Sequence, residues 1–255
     1  MFKNIIVKKP AKSMVDGISN ADLGKPDYEK AVKQHEKYIE ALKTCGVKVK
    51  VLEAEEKYPD SCFVEDPALV TKKCAIITNL GADSRKGEEK AIYEALKEYF
   101  PEDKIEKIKA PGTIEGGDIM MVGDHFYIGL SARTNKEGAD QMIKHLEKYG
   151  FTASTVELEE VLHLKTGLAY LENNNLLAAG EFVEKDVFQK YNIIEISEDE
   201  SYAANCIWVN GKVIVPEGFE NAEKKIRDLG YDVIVLDVSE FRKLDGGLSC
   251  LSLRF

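Results

Sequence analysis

The chain has 255 residues, 44% of them apolar and 31% charged, and 35 Lys and Arg against 45 Asp and Glu give a formal net charge of −10. That composition fits one folded domain with a sizeable core and excludes a disordered or fibrous chain. The acidic balance argues against nucleic acid, and no run reaches the roughly 18 apolar residues of a membrane span or resembles a secretory signal, so the cytoplasm is the expected setting.

Asn4–Lys8 reads as a strand. Asp27–Cys45 reads as a helix, with Tyr28, Ala31, Val32, His35, Ile39 and Leu42 as its apolar stripe, and Val47–Leu52 as the strand after it. Ala68–Val70 and Cys74–Thr78 flank Thr71-Lys72-Lys73, and Gly87–Phe100 follows with helical spacing of Ile92, Ala95, Leu96 and Tyr99. Ile119–Val122 and His125–Ile128 flank Gly123-Asp124, and Lys136–Tyr149 is the next helix. Leu168–Leu171 and Leu176–Ala179 flank an Asn-rich turn at 173–175, with a short helical stretch at Lys185–Tyr191 and a strand at Ile193–Ile196. Cys206–Val209 and Lys212–Val215 flank Asn210-Gly211, the strongest hairpin signal in the chain. Phe219–Leu229 then reads as a helix, Tyr231–Leu236 as a strand and Ser249–Arg254 as the final strand.

The unit strand, strand, helix, strand thus recurs four times between about 62 and 238. The leftover elements at the two ends complete a fifth unit only if the array closes on itself, which also removes its exposed sheet edges. The expected fold is therefore α/β: a closed five-bladed α/β propeller of ββαβ repeats, its fifth blade formed from both termini, in one domain over residues 1–255. An open α/β sandwich is the alternative.

Just before each first hairpin strand stands a polar residue or a cysteine: Glu65-Asp66, Glu115, His163, Asn205 and Cys250, at intervals of 42 to 50 residues. In a closed array these positions converge at one end of the axis. Singly they are unremarkable. Cys45, Cys74 and Cys206 fall inside helix or strand patterns and read as small buried hydrophobes, and Cys62 as structural. Five cysteines without a CxxC pair make neither a disulfide framework nor a zinc ribbon. Gly116-Gly117-Asp118 reads as a strand-entry turn. Cys250 follows Asp245-Gly246-Gly247-Leu248-Ser249, read as a flexible approach that allows tight contact around the thiol.

A thiolate attacks electrophilic carbon, and an imidazole within reach protonates the leaving group and then activates water. Carboxylates beside a thiol raise its pKa, so they suit a substrate that brings its own positive charge. A guanidinium does so, and carboxylates accept its N–H pairs bidentately. The expected electrophile is a guanidino carbon.

The sequence resembles the guanidino-group-modifying enzymes of the pentein superfamily, and within it the bacterial dimethylarginine dimethylaminohydrolases. The likeness is carried by Met1-Phe2-Lys3-Asn4-Ile5-Ile6, Leu23-Gly24-Lys25-Pro26-Asp27-Tyr28, Phe63-Val64-Glu65-Asp66-Pro67, Gly117-Asp118-Ile119-Met120-Met121-Val122-Gly123-Asp124-His125, Leu162-His163-Leu164-Lys165-Thr166-Gly167-Leu168 and Ser249-Cys250-Leu251-Ser252-Leu253-Arg254-Phe255. It implies Cys250 as nucleophile and His163 as general acid and base, with Glu115 beside it. Asp66 would hold the guanidinium, with Glu65 and Asp60 on the same loop, and Arg85 and Arg133 would take the substrate's α-carboxylate. A loop from about 13 to 26, with Gly17 and Gly24 as hinges, would be the lid. Ile18 at its tip and Leu244 replace the leucine and isoleucine expected there without a change of character. The resemblance further implies N-omega-methylated arginines as substrates, L-citrulline and an alkylamine as products, a covalent thiouronium intermediate on Cys250, no metal or other cofactor, and a homodimer. Another guanidine hydrolase, such as an arginine deiminase-like enzyme, and a non-catalytic pentein that binds a macromolecule are the competing readings.

Overall fold

A computed structural model describes residues 1–159 and 161–255. In chain order its elements are β1 (Asn4–Lys8), α1 (Tyr28–Thr44), β2 (Lys48–Leu52), β3 (Ala68–Val70), β4 (Ala75–Ile77), α2 (Glu89–Leu96), β5 (Ile105–Lys107), β6 (Ile119–Val122), β7 (His125–Leu130), α3 (Lys136–Lys148), β8 (Thr152–Glu157), β9 (Leu168–Tyr170), β10 (Asn175–Ala179), β11 (Asn192–Ile196), β12 (Ile207–Val209), β13 (Lys212–Pro216), α4 (Glu220–Asp228), β14 (Asp232–Leu236), α5 (Ser239–Arg242) and β15 (Leu253–Arg254). Asp27 caps α1 by accepting the Lys30 N–H at 3.0 Å, and Asn135 caps α3 through the Gly138 N–H at 2.8 Å. Asn210 and Gly211 both have positive φ, as a two-residue hairpin turn requires.

The strands form five three-stranded sheets: β3-β4-β5, β6-β7-β8, β9-β10-β11, β12-β13-β14 and β15-β1-β2. In each, the middle strand pairs antiparallel with its hairpin partner and parallel with the strand that follows the crossover. The fifth sheet joins the two ends of the chain, with Ile5 opposite Arg254 and Ile6 opposite Leu253.

Each middle strand is buried on both faces, and its two-residue period sends alternate side chains into two different cores. Ile6 packs with β3 and β4 while Ile5 and Val7 pack with β12 and β13. Ile76 joins Phe126 and Ile128 of the next blade, and Tyr127 joins Leu176 and Ala178 of the one after. Leu177 and Ala179 meet Val213 and Val215, and Ile214 returns to the cluster of Ile5 and Val7. Five interblade cores therefore lead around the ring and back to the start. Full burial of one such aliphatic side chain stabilises the fold by about 1.5–3 kcal/mol.

Two expectations need correction. Lys185–Tyr191 is not an α-helix: only Asp186–Phe188 makes a single 3-10 turn. Single turns at Gly180–Phe182 and Asp186–Phe188 suffice to bury Phe182 and Phe188, so packing does not require a continuous helix in so short a segment. Strand β15 is also only two residues long, where Ser249–Arg254 was expected. The carbonyl of Cys250 accepts the Glu65 N–H at 3.1 Å, and the carbonyls of Ser249 and Ser252 accept from the Arg254 side chain at 3.0 and 3.1 Å, so this backbone is diverted from the ladder.

Candidate active site

The sequence-equivalent residues before each first strand meet near the axis and are linked from blade to blade. The Glu65 N–H donates to the Cys250 carbonyl at 3.1 Å, and the Gly116 N–H to the Asp66 carbonyl at 3.1 Å. The Leu164 N–H donates to Asp118 Oδ1 at 3.0 Å, Asn205 Nδ2 to the Lys165 carbonyl at 3.2 Å, and the Ser249 N–H to Asn205 Oδ1 at 3.0 Å. These five bonds make one complete circuit. Asn205, at a site-equivalent position, works within this belt and does not line the cleft.

On one side of the belt lies a cleft of about 40 Å³ lined by Ile18, Asp60, Asp66, Arg85, Glu115, Arg133, His163, Leu244 and Cys250, together with Phe63, Leu162, Asp245 and Gly246. Nine of the ten residues expected at the site thus share one cavity. Glu65 is the exception. It lines a separate axial cavity of about 130 Å³ walled by the first strands of all five blades, where Lys165 and Arg254 approach its Oε1 at 2.6 and 2.8 Å.

His163 Nε2 lies 2.8 Å from Glu115 Oε2. The other carboxylate oxygen of Glu115 accepts the N–H groups of Gly81 and Ala82 at 3.0 and 3.2 Å, which fixes the acid, itself 1% exposed. Asp66 accepts the Gly117 N–H on Oδ1 at 2.9 Å and Arg85 Nη1 on Oδ2 at 2.6 Å. Gly117 is required by contact: a Cβ there would stand 2.9 Å from His163 Nδ1 and 3.0 Å from Asp66 Oδ1. Burial opposes the charged imidazole, yet the Glu115 hydrogen bond and the nearby Asp66 and Asp118 carboxylates prevail and push the His163 pKa up to about 9. Glu115, despite burial, is held below its ordinary value by His163 and the two arginines.

The Cys250 thiol is pushed up to about 11, first by burial and then by the Glu65 and Asp66 charges. The two shifts favour a neutral thiol and an imidazolium in the walls of one cleft. Its glycine approach is tight rather than flexible, correcting the expectation for this segment. A Cβ on Gly246 would come within 2.2 Å of the Phe63 ring, and one on Gly247 within 2.5 Å of the Asn205 amide.

The two arginines differ. Arg85 is 5% exposed and its fork is engaged by Asp66, Glu88 and the Phe63 carbonyl at 2.6 to 3.2 Å. The Arg133 side chain is 18% exposed and lies 3.8 Å from Glu115 Oε1. Asp60, its pKa raised by burial, accepts the Ile18 N–H at 3.0 Å. The segment around Ile18 is further tied down by Ser19 Oγ on the Lys243 carbonyl at 2.6 Å and by the Asn20 N–H on Asp245 at 2.6 Å. Gly24 has a φ of 77°, whereas Gly17 has a φ of −63° and is needed for space, since a Cβ there would meet Asp60 Oδ1 at 2.8 Å.

Sequence reasoning missed Glu88 and Asp118. Asp118 receives Ser131 Oγ, Thr134 Oγ1 and the Leu164 N–H at 2.7, 2.6 and 3.0 Å and so anchors the segment carrying His163. Its place three residues after Glu115 was the available signal. Asp66, Glu115 and His163 bring ligand-type atoms within 4.8 Å of one another, as a metal site would. Their lone pairs are already directed at Arg85, backbone N–H groups and each other.

Among solved structures, the chain matches a cysteine-to-serine variant of the dimethylarginine dimethylaminohydrolase from Pseudomonas aeruginosa complexed with citrulline, with a TM-score of 0.99, 63% identity and full coverage of both chains. It also matches the product-bound N-terminal domain of ArgZ, a cyanobacterial arginine dihydrolase, with a TM-score of 0.88 and 21% identity over 100% of this chain and 97% of that one, a likeness of fold alone. The architecture is that of the pentein class, five three-stranded blades around an axis, four of them with an α-helical crossover, and with polar side chains gathered at one mouth. A family model for "N,N dimethylarginine dimethylhydrolase, eukaryotic" matches residues 20–251, and the N(G),N(G)-dimethylarginine dimethylaminohydrolase of Pseudomonas aeruginosa is 63% identical over 255 residues, 100% of each chain. The Streptomyces coelicolor enzyme of the same name is 29% identical over 99% of this chain and 96% of its own. The chain belongs to the dimethylarginine dimethylaminohydrolase family.

Proposed function

We propose that the chain hydrolyses N-omega-methylated arginines to L-citrulline and dimethylamine or methylamine. The observation that carries this reading is the joint lining of one small cleft by Cys250, His163, Glu115 and Asp66, in a chain 63% identical to a dimethylarginine dimethylaminohydrolase over its full length. The substrate guanidinium is held by Asp66, and its fixed charge beside the sulfur lowers the cost of forming the thiolate, which the cleft's own carboxylates oppose. The Cys250 thiol gives up its proton to solvent as the substrate binds, and the thiolate attacks the guanidino carbon and forms a C–S bond. His163, held as imidazolium by Glu115, protonates the departing alkylamine as its C–N bond breaks. The thiouronium left on Cys250 is attacked by water that His163 deprotonates, the C–S bond breaks, and citrulline and the thiol are released.

Arg133 is the main partner of the substrate α-carboxylate, with Arg85 limited by its engaged fork. Asp60, Ile18 and Leu244 shape the amino-acid end, and residues 13 to 26 act as the lid. Glu65 acts from behind the thiol and does not touch the substrate. Residues 1–255 work as one catalytic domain, with no metal or organic cofactor among the reacting groups. Five unpaired cysteines fit a reducing compartment, which supports the cytoplasm, and a homodimer is the assembly the family resemblance implies.

The deciding experiment offers the purified protein asymmetric dimethylarginine, monomethylarginine, arginine and agmatine in parallel. Citrulline and dimethylamine from the first, with little turnover of arginine, is the expected result. Cys250→Ser should abolish turnover with the fold intact, and a variant at wild-type rate would overturn the assignment.

A further inference from the structure

Arg254 lines the axial cavity and is absent from the cleft wall. Its Nη1 donates to the carbonyls of Ser249 and Ser252 at 3.0 and 3.1 Å and to Ser252 Oγ at 2.8 Å, and its Nη2 donates to Glu65 Oε1 at 2.8 Å. The two carbonyls stand on either side of Cys250 in sequence. They belong to the turn that replaces the expected strand and have no ladder partner: within the turn the Ser249 carbonyl accepts only a long bond of 3.5 Å from the Ser252 N–H, so the Arg254 side chain supplies their shorter donors. Tyr38 completes the support, its hydroxyl lying 2.8 Å from the Leu248 carbonyl and 2.7 Å from Ser252 Oγ.

We infer that Arg254 is a positioning residue for the nucleophile: its planar fork clamps the turn that presents Cys250 and sets a fixed positive charge behind the sulfur. The inference rests on the reading of Cys250 as the nucleophile. Geometry gives the first half, because one guanidinium spans two carbonyls, a hydroxyl and a carboxylate where a lysine ammonium would be a single point. Electrostatics gives the second. The charged groups that bear on the thiol are Glu65, Asp66 and Arg254, with His163 across the same cleft. The Tyr38 and Tyr202 phenols also face it but are kept neutral by burial, which raises both above the ordinary value. Glu65 and Asp66 both disfavour the thiolate, while Arg254 engages Glu65 and favours the thiolate by its own charge.

The test is the pH dependence of Cys250 alkylation by iodoacetamide, followed on its own peptide by mass spectrometry, beside steady-state kinetics. Arg254→Gln should move the alkylation midpoint up by about one pH unit, or about tenfold slower reaction at a fixed lower pH, and lower kcat more than it raises KM. Arg254→Lys keeps the charge and should restore most of the midpoint while leaving kcat depressed. A folded Arg254→Gln variant with the wild-type alkylation profile overturns the inference. Should that variant not fold, Glu65→Gln and Glu65→Gln/Arg254→Gln are compared instead, because the first removes the carboxylate that Arg254 would leave short of a partner. A higher midpoint in the double variant supports the inference, and coincident profiles overturn it. Full activity in Cys250→Ser would be a separate failure, that of the nucleophile assignment.

Discussion

His163 and Glu115 come from different blades, and their ring nitrogen and carboxylate oxygen meet at 2.8 Å in the wall of the cleft. Each fixes the charge of the other. Glu115 is the larger positive influence on the imidazole, so Glu115→Gln should bring the His163 pKa down from about 9 by at least one unit. The basic limb of the kcat–pH profile, where the leaving-group proton is lost, should then move to lower pH. Imidazole proton NMR of both proteins checks the same shift directly, and coincident titrations would remove Glu115 from the scheme.

Arg85 and Arg133 should part company on substitution. Arg133→Met should raise KM by about tenfold or more with little change in Tm, because its guanidinium is partly exposed and loosely held. Arg85→Met leaves Asp66 and Glu88 buried without their partner, which costs about 3–5 kcal/mol and should lower Tm sharply. Thermal melts beside kinetics separate the two. Equal KM effects at unchanged Tm would mean that Arg85 is as free as Arg133.

His35 makes the opposite pH argument to His163. It is 2% exposed in α1 beside Phe241, its Nε2 lacks a partner among the described residues, and burial pushes its pKa down to about 4. A folded-state pKa below the unfolded value near 6.5 means that its neutral form stabilises the fold above pH 6.5. That contribution, about 3 kcal/mol, is lost as pH falls from 6.5 to 4. His35→Leu should flatten stability over this window, read from urea unfolding at several pH values. His163 works the other way: its raised pKa contributes stability below pH 6.5 that is lost as pH rises through about 9.

The repeat was legible because the hairpin signals and apolar strands recur at a regular interval, and Asp66, Glu115, His163 and Cys250 line one cleft because equivalent positions in a ring converge. Ile18, Asp60, Arg85, Arg133 and Leu244, by contrast, were legible only through the family resemblance. The direction in which side chains face was not legible. Glu65 and Asp66 are neighbours in an irregular segment, and the first turns to the axis while the second turns to the cleft. Nor could spacing reveal that Arg85 is enclosed, since Glu88 reads as a surface charge until two carboxylates and a backbone carbonyl are seen around one fork. The approach to Cys250 looked mobile from its glycines. In the structure those positions lack a Cβ because Phe63 and Asn205, remote in sequence, occupy the space.

The shared cores of the middle strands bear on how such a chain can evolve. An open solenoid tolerates duplication or loss of one repeat, because each repeat meets only its neighbours and the ends are capped. Here every blade lends side chains to two cores, and the last core is completed by the first strand. Removing or inserting one unit would break two of them and misalign the circuit, so blade number is inherited intact while divergence is channelled into the loops at the rims.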